Sequence, residues 1–528
     1  MTTITPYRSA QQPGPDGFAQ LVHAEWTKFR TVRGWVLGLI AAVVVAAGFG
    51  LLTTGASSSV CQRVGGGPAH CRPARPPTFP IGPGGEPVTD SFYFVHQPLA
   101  GDGTITVRVT SMAGLVPSGS LETPSPTLRP GVEDWAKAGI IIKQSTKPGS
   151  PYAAMMVAAG HGVRMQWNYT GDLAGLPGAA SAASPRWLRL TRAGDVITGY
   201  DSADGTHWSR VGSVTLPGLP SAVQAGLFAA SPEYDVETQS FGGGVNGGGG
   251  PTQVTAAIDH LSGFRGRWTG GYIGAANASG IGRYHQAGGR FTVTGSGDIA
   301  PIPAGHGGHA DSAATIAGYL LGTFAGLIAL TVVATMFMTA EYRRNLIRVT
   351  LAASPRRGRA LAAKAVVIGA AAFVTGLAGA LIAVLAGTAI THARGNYQFP
   401  VPAVTEVRVI IGTAVLAAVS AVLALAVGTI VRRSAVAVAI VIVTIVLPYF
   451  LSVAAVVPSG VADWLLRITP AAGFAVQGPF PRYPQVSALY SVLSGYYPLG
   501  PWTGLAVLCG WTALALAGAA VLLRRRDA

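Results

Sequence analysis

Four small sets of residues in this chain could do chemistry, each of a different kind. Trp135, Trp187, Tyr200 and Trp208 stand among short β-type runs, with Asp201 and Asp204 beside them. Aromatic faces can stack on sugar rings and carboxylates can accept hydrogen bonds from hydroxyls, so these six are candidate glycan-binding residues; aromatics in strands equally fill cores and brace hairpins. Cys61 and Cys71 lie close together in a Gly/Pro-rich stretch, where an oxidising compartment would allow a disulfide closing a short loop. His306 and His309 sit among glycines with no third ligand nearby, so they read as linker and no metal site is expected. The fourth set is the run from Glu341 to Lys364, EYRRNLIRVTLAASPRRGRALAAK. There Leu346, Ile347 and Leu351 give a short helix an apolar side ringed by Glu341, Tyr342, Arg343, Arg344, Arg348, Arg356, Arg357 and Arg359, a pattern suited to docking into a groove on a soluble partner.

Catalytic constellations are missing from the sequence. It has no G-x-x-x-x-G-K-[ST] loop for ATP, no G-x-S-x-G elbow, no H-E-x-x-H and no paired carboxylates of the glycosidase kind. No catalytic residue and no cofactor are therefore expected in this chain, and any ATP and Mg would belong to a partner subunit.

The elements that must position these residues are set by hydropathy. A mean hydropathy of +0.41, with 49% hydrophobic and 11% charged residues, is the composition of an integral membrane protein. One apolar stretch, Trp35 to Leu52, stands alone; five more follow a long polar insert, at about Ala314–Thr339, Ala362–Ile390, Val409–Val431, Ala435–Val457 and Trp502–Leu523. Each is long enough to cross a hydrocarbon core about 30 Å thick. Few ionisable residues fall within them, which argues against a proton or ion relay.

Charge sets the expected orientation. The net charge is +15, yet residues 55–312 hold 17 Lys plus Arg against 16 Asp plus Glu, so the basic excess sits beside the spans and no nucleic-acid partner is implied. Basic clusters face the cytoplasm. Lys28, Arg30 and Arg33 before the first span, the Arg-rich run after the second, Arg432 and Arg433 after the fourth and Arg524 to Arg526 after the sixth then place both termini in the cytoplasm and the insert outside. Arg394, Arg408, Arg467 and Arg482 fall on the other side as scattered singles. The long polar leader and the lack of a small-x-small cleavage site make the first span a retained anchor. Before it, Phe18, Leu21, Val22, Trp26 and Phe29 recur at helical spacing, predicting an amphipathic helix in the inner interface.

The expected domain plan is a cytoplasmic N-terminus (1–34), a first span (35–54), an extracellular insert (55–312) and spans two to six (313–528) with a cytoplasmic loop at 341–364. Within the insert, residues 85–264 read as all-β, because runs such as TITVRVT, AGIIIK, VRMQWNY and RWLRLTR recur between turn signals. Ala193-Gly194-Asp195 and Ala203-Asp204-Gly205 look like hairpin turns. Residues 265–312 form a Gly-rich return segment. The fold class is thus multi-domain: an all-α polytopic membrane domain carrying an inserted all-β jelly roll or sandwich.

Two resemblances add to this reading. DSFYFVHQPLAGDGTITVRV, DWAKAGIIIKQSTKPGS and WLRLTRAGDVITGYDSADGTHWSRVGS resemble concanavalin-like jelly-roll domains of bacterial surface proteins, which implies a fold and a glycan-binding surface. AEWTKFRTVRGW, the run from Glu341 to Lys364, TPAAGFAVQ and PRYPQVSALYSVLSGYYPLGPWTG resemble permease subunits of type 2 ABC exporters from high-GC Gram-positive bacteria. That likeness implies an elbow helix over Phe18–Arg30, a coupling helix within Glu341–Ala353 that touches a separate ATPase, six spans per half-transporter, and pairing of two permeases as homodimer or heterodimer in the bilayer. The function expected is transport driven by the partner ATPase through alternating access. The alternative is a membrane-anchored surface glycan-binding or sensory protein.

Overall fold

The structure, a computed structural model, describes residues 17–54, 59–62, 70–73, 78–118, 127–239, 245–264, 266–274, 281–305, 313–343, 357–488 and 490–525. Among them, six helical segments are long and apolar enough to cross a membrane: Arg33–Leu52, Ile316–Tyr342, Arg357–Ala393, Ala403–Val431, Ser434–Val453 and Pro501–Arg525. The second and fourth lie centrally, whereas the first and sixth present most of their surface outward. Close approach between them rests on small residues, as is usual where lipid supplies no hydrophobic drive. A Cβ on Gly322 would stand 2.0 Å from the Ala46 carbonyl oxygen, and one on Gly376 would stand 2.7 Å from the Ala417 Cβ.

Two spans are irregular for identifiable reasons. The second opens with a single turn, Ile316–Tyr319, capped by the Thr315 hydroxyl, before the long helix Thr323–Arg343 begins. The fifth passes through a π-turn, Ile442–Val446, just ahead of Pro448, which has no N–H to give a regular ladder. It ends at Val453, short of the Val457 expected from hydropathy. Beyond it an amphipathic helix, Ser459–Ile468, leads into a wholly buried 3-10 helix, Pro470–Gln477.

The insert is a β-sandwich. A seven-stranded antiparallel sheet runs, in spatial order, Gly171–Ala174, Gly162–Trp167, Tyr152–Ala158, Lys137–Lys143, Ala222–Ala230, Phe92–Ala100 and Thr269–Ile273. Facing it, an eight-stranded sheet runs Ser209–Thr215, Val196–Ser202, Arg186–Ala193, Gly103–Ser118, Gln253–Ser262, Arg290–Gly295 and Arg283–Ala287, with Thr127–Pro130 pairing off its long strand. Alternation explains the second sheet: Leu188, Leu190 and Arg192 point inward while Trp187, Arg189 and Thr191 point out. The strands Lys137–Lys143 and Tyr152–Ala158 are instead buried at every residue. Their inner faces meet the other sheet around Ile140, Ile142, Met155 and Leu227, and their outer faces meet a second core of Phe92, Phe94, Ile141, Tyr152, Tyr169 and Ile299.

The hairpin at Gly194-Asp195 forms, with Ala193 opposite Val196 and Gly194 at φ +62°. The second expected turn is longer, running from Ala203 to Trp208 between strands. A small separate hairpin pairs Ser59–Gln62 with His70–Pro73.

Candidate functional site

Three helix ends meet at the foot of the bundle, where the predicted coupling segment is attached. The elbow helix forms as Phe18–Thr31, its Phe29 buried against Trp35 of the first span and Phe337 of the second. Packing of this aromatic side turns Glu25 inward until it is 0% exposed. There it meets Lys364, two turns into the third span and 2% exposed. The Lys364 ammonium donates to Glu25 Oε2 at 2.6 Å and to Glu341 Oε1, near the end of the second span, at 2.7 Å. It also lies 4.7 Å above the Phe337 ring. Lys28 reaches the same carboxylates, 2.8 Å from Glu25 Oε1 and 3.5 Å from Glu341 Oε1. Burial pulls the Lys28 ammonium down, yet Glu25 and Glu341 together hold it above the ordinary lysine value. Two acids and two bases thus balance in one buried joint.

Neighbouring contacts close the same end. Arg432 takes the left-handed conformation, φ +60°, between the fourth and fifth spans, and its guanidinium lies 5.0 Å from the Tyr342 ring centroid. Arg357 donates to the Leu523 carbonyl at 2.5 Å, capping the sixth span from the first residue of the third. Of the predicted coupling residues, Glu341 is in the joint, Tyr342 lies under Arg432, Arg357 reaches the end of the sixth span, and Arg359 is exposed. Arg343 is the last residue of its helix. Arg344, Leu346, Ile347, Arg348, Leu351 and Arg356 lie outside the described residues, as do His306 and His309.

Midway through the bundle the polar groups are few. Gln477, at the end of the buried 3-10 helix, donates to Thr323 Oγ1 at 2.9 Å and Thr413 Oγ1 at 3.2 Å, linking the second and fourth spans. Beside it a small cavity opens between the first four spans, lined by Ala46, Thr323, Gly326, Gly379 and Thr413.

At the opposite end the sandwich is seated on the membrane domain's loops. Gln485, 1% exposed, donates to the carbonyls of Tyr169 at 3.2 Å and Thr170 at 3.1 Å. The Tyr496 hydroxyl accepts from Ala304 N at 2.8 Å, within an apolar cluster that includes Phe79, Phe399, Phe480 and Tyr490. Tyr490 and Tyr496 are thus part of the seat, while Trp502 is exposed. Two of the scattered arginines also find work here. Arg408 donates to the carbonyls of Val476 and Gly478, and Arg482 pairs with Asp463 through two 3.2 Å bonds.

Under that seat lies a second buried charge. Lys143 donates to Asp90 Oδ2 at 2.7 Å, to the Ser150 carbonyl at 3.0 Å and to the Tyr169 hydroxyl at 3.0 Å. Asp90 also accepts from Gly149 N at 2.8 Å. Burial pushes the Lys143 ammonium down against the pull of Asp90 and drives the Tyr169 phenol well up.

The candidate glycan residues are not gathered into one site. Trp135 is buried and stacked on His161 at 3.9 Å between centroids. Trp187, Tyr200 and Trp208 share the outer side of the eight-stranded sheet. Trp187 is met there by Arg108, His260 and Gly205, and Arg189 sits 3.7 Å over Trp208. Gly205 has φ +79°, and a Cβ would come within 2.7 Å of the Trp187 ring. Asp201 points inward, its carboxylate accepting from Leu176 N at 2.6 Å and raised by burial. Asp204 accepts from Thr206 N, His207 N and the His207 ring, which hold its carboxyl far below the usual range. Asp204 closes a turn and Asp201 ties a neighbouring loop to its strand, both within the sandwich.

Cys61 stands directly opposite Cys71 in the small hairpin. Cys509 is a free thiol on the exposed side of the sixth span. The sequence picked out Glu341 but not the joint it belongs to, since Glu25 meets Lys364 across 339 residues and Lys28 meets Glu341 across 313. The one available signal was a glutamate on the apolar face of an otherwise basic amphipathic helix.

A polytopic bundle with a β-sandwich between its first and second spans, tied at both ends by buried polar joints, is a multi-pass membrane protein. The chain matches the ABC-2 family transporter protein over residues 196–528, and it belongs to that family as a membrane-spanning permease subunit, a class of transport component that is generally non-catalytic. No curated protein matches it. Solved structures similar to part of it include a functionally unknown protein from Saccharomyces cerevisiae, 17% identical over 33% of this chain and 76% of that one, with a TM-score of 0.21. Scytalido-glutamic peptidase with a transition-state analogue inhibitor is 12% identical over 40% and 100%, with a TM-score of 0.22. A GH43 protein from Bacillus licheniformis is 18% identical over 24% of each chain, with a TM-score of 0.16.

Proposed function

We propose that this chain is the transmembrane half of an ATP-driven exporter, worked by a separate ATPase subunit that docks on the segment between the second and third spans. The family match over residues 196–528, which takes in that segment and five of the six spans, carries the reading. ATP and Mg would act in the partner, and two permeases would complete the pathway. Basic residues at the foot of the bundle orient that end to the cytoplasm and the sandwich to the outside. The opposed positions of Cys61 and Cys71 support a disulfide there, because paired antiparallel residues bring Cα atoms to about 4.5–5.5 Å, within disulfide reach.

Affinity purification in mild detergent tests this reading. A P-loop ATPase is expected to co-purify with the wild-type chain and to be lost when Arg343 and Arg348 are changed to Glu. Absence of any ATPase, with unchanged phenotypes in those variants, overturns it. Alkylation with and without reductant reads sidedness independently, since a thiol pair at Cys61 and Cys71 that reacts without reductant contradicts an oxidised outer loop.

The sandwich, on this reading, is an outer scaffold seated over the exit of the pathway. A glycan would meet the Arg189, Arg210 and Tyr200 row of the eight-stranded sheet, whose register places the three side by side across neighbouring strands.

A further inference from the structure

The first span and its elbow are separated from the remaining five spans by the whole insert, and the family match does not include them. The first span presents most of its surface outward, and the rest packs against the second and third spans. The segment between the second and third spans is covalently joined only to those two. A push on it would reach the first span only through contacts, and the contacts on offer are unusual. Lys364 and Glu341 flank the segment, and both pair with Glu25 or Lys28 of the elbow, which leads through Val32 directly into the first span.

We propose that Glu25, Lys28, Glu341 and Lys364 are positioning residues that bind the elbow helix to both feet of the coupling segment, so that the first three spans move as one piece when the segment is displaced. The inference rests on the proposed function for the source of the push, though not for the existence of the joint. A purely apolar contact of this size could slide, because it has no preferred register. A buried ammonium held between two carboxylates at 2.6 and 2.7 Å cannot, since any separation leaves charge unpaired in a dry environment. Phe337 beneath Lys364 and Phe29 beside Phe337 cover the Lys364 side of the joint with apolar rings. Because Lys364 pairs with both carboxylates, the joint depends on a cation at that position.

The full chain in nanodiscs, with its co-purified ATPase, tests this. Lys364→Met and Glu25→Gln are compared with Lys364→Arg, which keeps a cation between the two carboxylates. The two neutralising variants are expected to keep bound ATPase and an unchanged KM for ATP, while losing the permease-dependent part of kcat. Lys364→Arg is expected to retain it. Normal kcat in both neutralising variants, or an equal loss in a folded Lys364→Arg, overturns the proposal. Hydrogen exchange of residues 18–31 in the chain without ATPase reads the joint directly: protection is expected in wild type, lost in Lys364→Met and kept in Lys364→Arg. Equal protection in all three overturns the joint. If wild type binds no ATPase but exchange follows this pattern, the proposed function has failed and the joint stands.

Discussion

Lys143 in the sandwich and Lys364 at the foot of the spans are both buried ammonium groups held by carboxylate oxygens at about 2.7 Å, yet they are built differently. Around Lys143 every partner belongs to one domain, and two are backbone groups: it donates to the Ser150 carbonyl, and its partner Asp90 is fixed by Gly149 N. Gly149 holds φ +83°, and a Cβ there would stand 2.5 Å from the Ile81 carbonyl oxygen, so the loop itself is specified. The polar partners of Lys364 are side chains on two other helices. A charge caged by its own backbone serves the fold of one unit; a charge shared among separate helices fixes how those helices sit against one another.

The comparison breaks first at Lys364. Lys364→Met leaves Glu25 and Glu341 buried with only the half-exposed Lys28 to balance them. Removing one partner of a buried pair costs about 3–5 kcal/mol. Thermal melting of the detergent-solubilised chain should show that loss in the helical signal, with the sandwich transition unmoved. A loss confined to the sandwich would contradict the placement of the joint.

Lys143→Met should cost somewhat less, on the order of 3 kcal/mol, because Asp90 keeps two donors, Gly149 N and the Tyr169 hydroxyl. Here the sandwich transition, followed by tryptophan fluorescence, should fall while elbow-helix protection stays. Equal damage to both domains would show that the two lysines are not independent. Gln485→Ala, next in size, removes two hydrogen bonds that seat the sandwich and leaves two carbonyls unsatisfied, about 1–3 kcal/mol in all. Limited proteolysis should then cut faster near the seat without changing the melting of either domain.

The sequence made the spans and strands readable because each is written locally. Hydropathy marks a helix such as Ala403–Val431, and alternation marks Arg186–Ala193. The start of the second span was less readable, since the turn Ile316–Tyr319 is apolar yet breaks before Thr323. Polar roles were harder still. Asp204 and Asp201 are the residue type a sugar site would use, and also the type that fixes turns and loops; only three-dimensional partners separate the two roles. The Trp187 ring gave no hint that Gly205 would lie against it. The foot joint was out of reach because the elbow meets the second and third spans across 313 and 339 residues, and no local pattern encodes such a pairing.

The smallest expected effect belongs to the outer side of the sandwich and marks the limit of the comparison. Arg108 grips Asp259 through two bonds of 2.7 and 2.9 Å, but the guanidinium is part-exposed, so this pair lacks the dry surroundings of both lysine sites. The Arg108 hydrogen bonds outweigh the opposing effect of burial and, helped by His260, hold the Asp259 carboxyl at about 2. A carboxylate depressed in the folded state stabilises it fully above its unfolded value of 3.8, and that contribution is lost as pH falls from about 4 through 2. Asp259→Asn should therefore lower the stability of the sandwich slightly at pH 7, by less than about 1 kcal/mol, with most of the difference from wild type gone by pH 2. Its loss should also shrink at high salt, whereas that of Lys143→Met should not, because buried pairs are screened far less than exposed ones. A salt-insensitive Asp259→Asn would mean that the outer face is as closed as the inner one, with no open row left for a ligand.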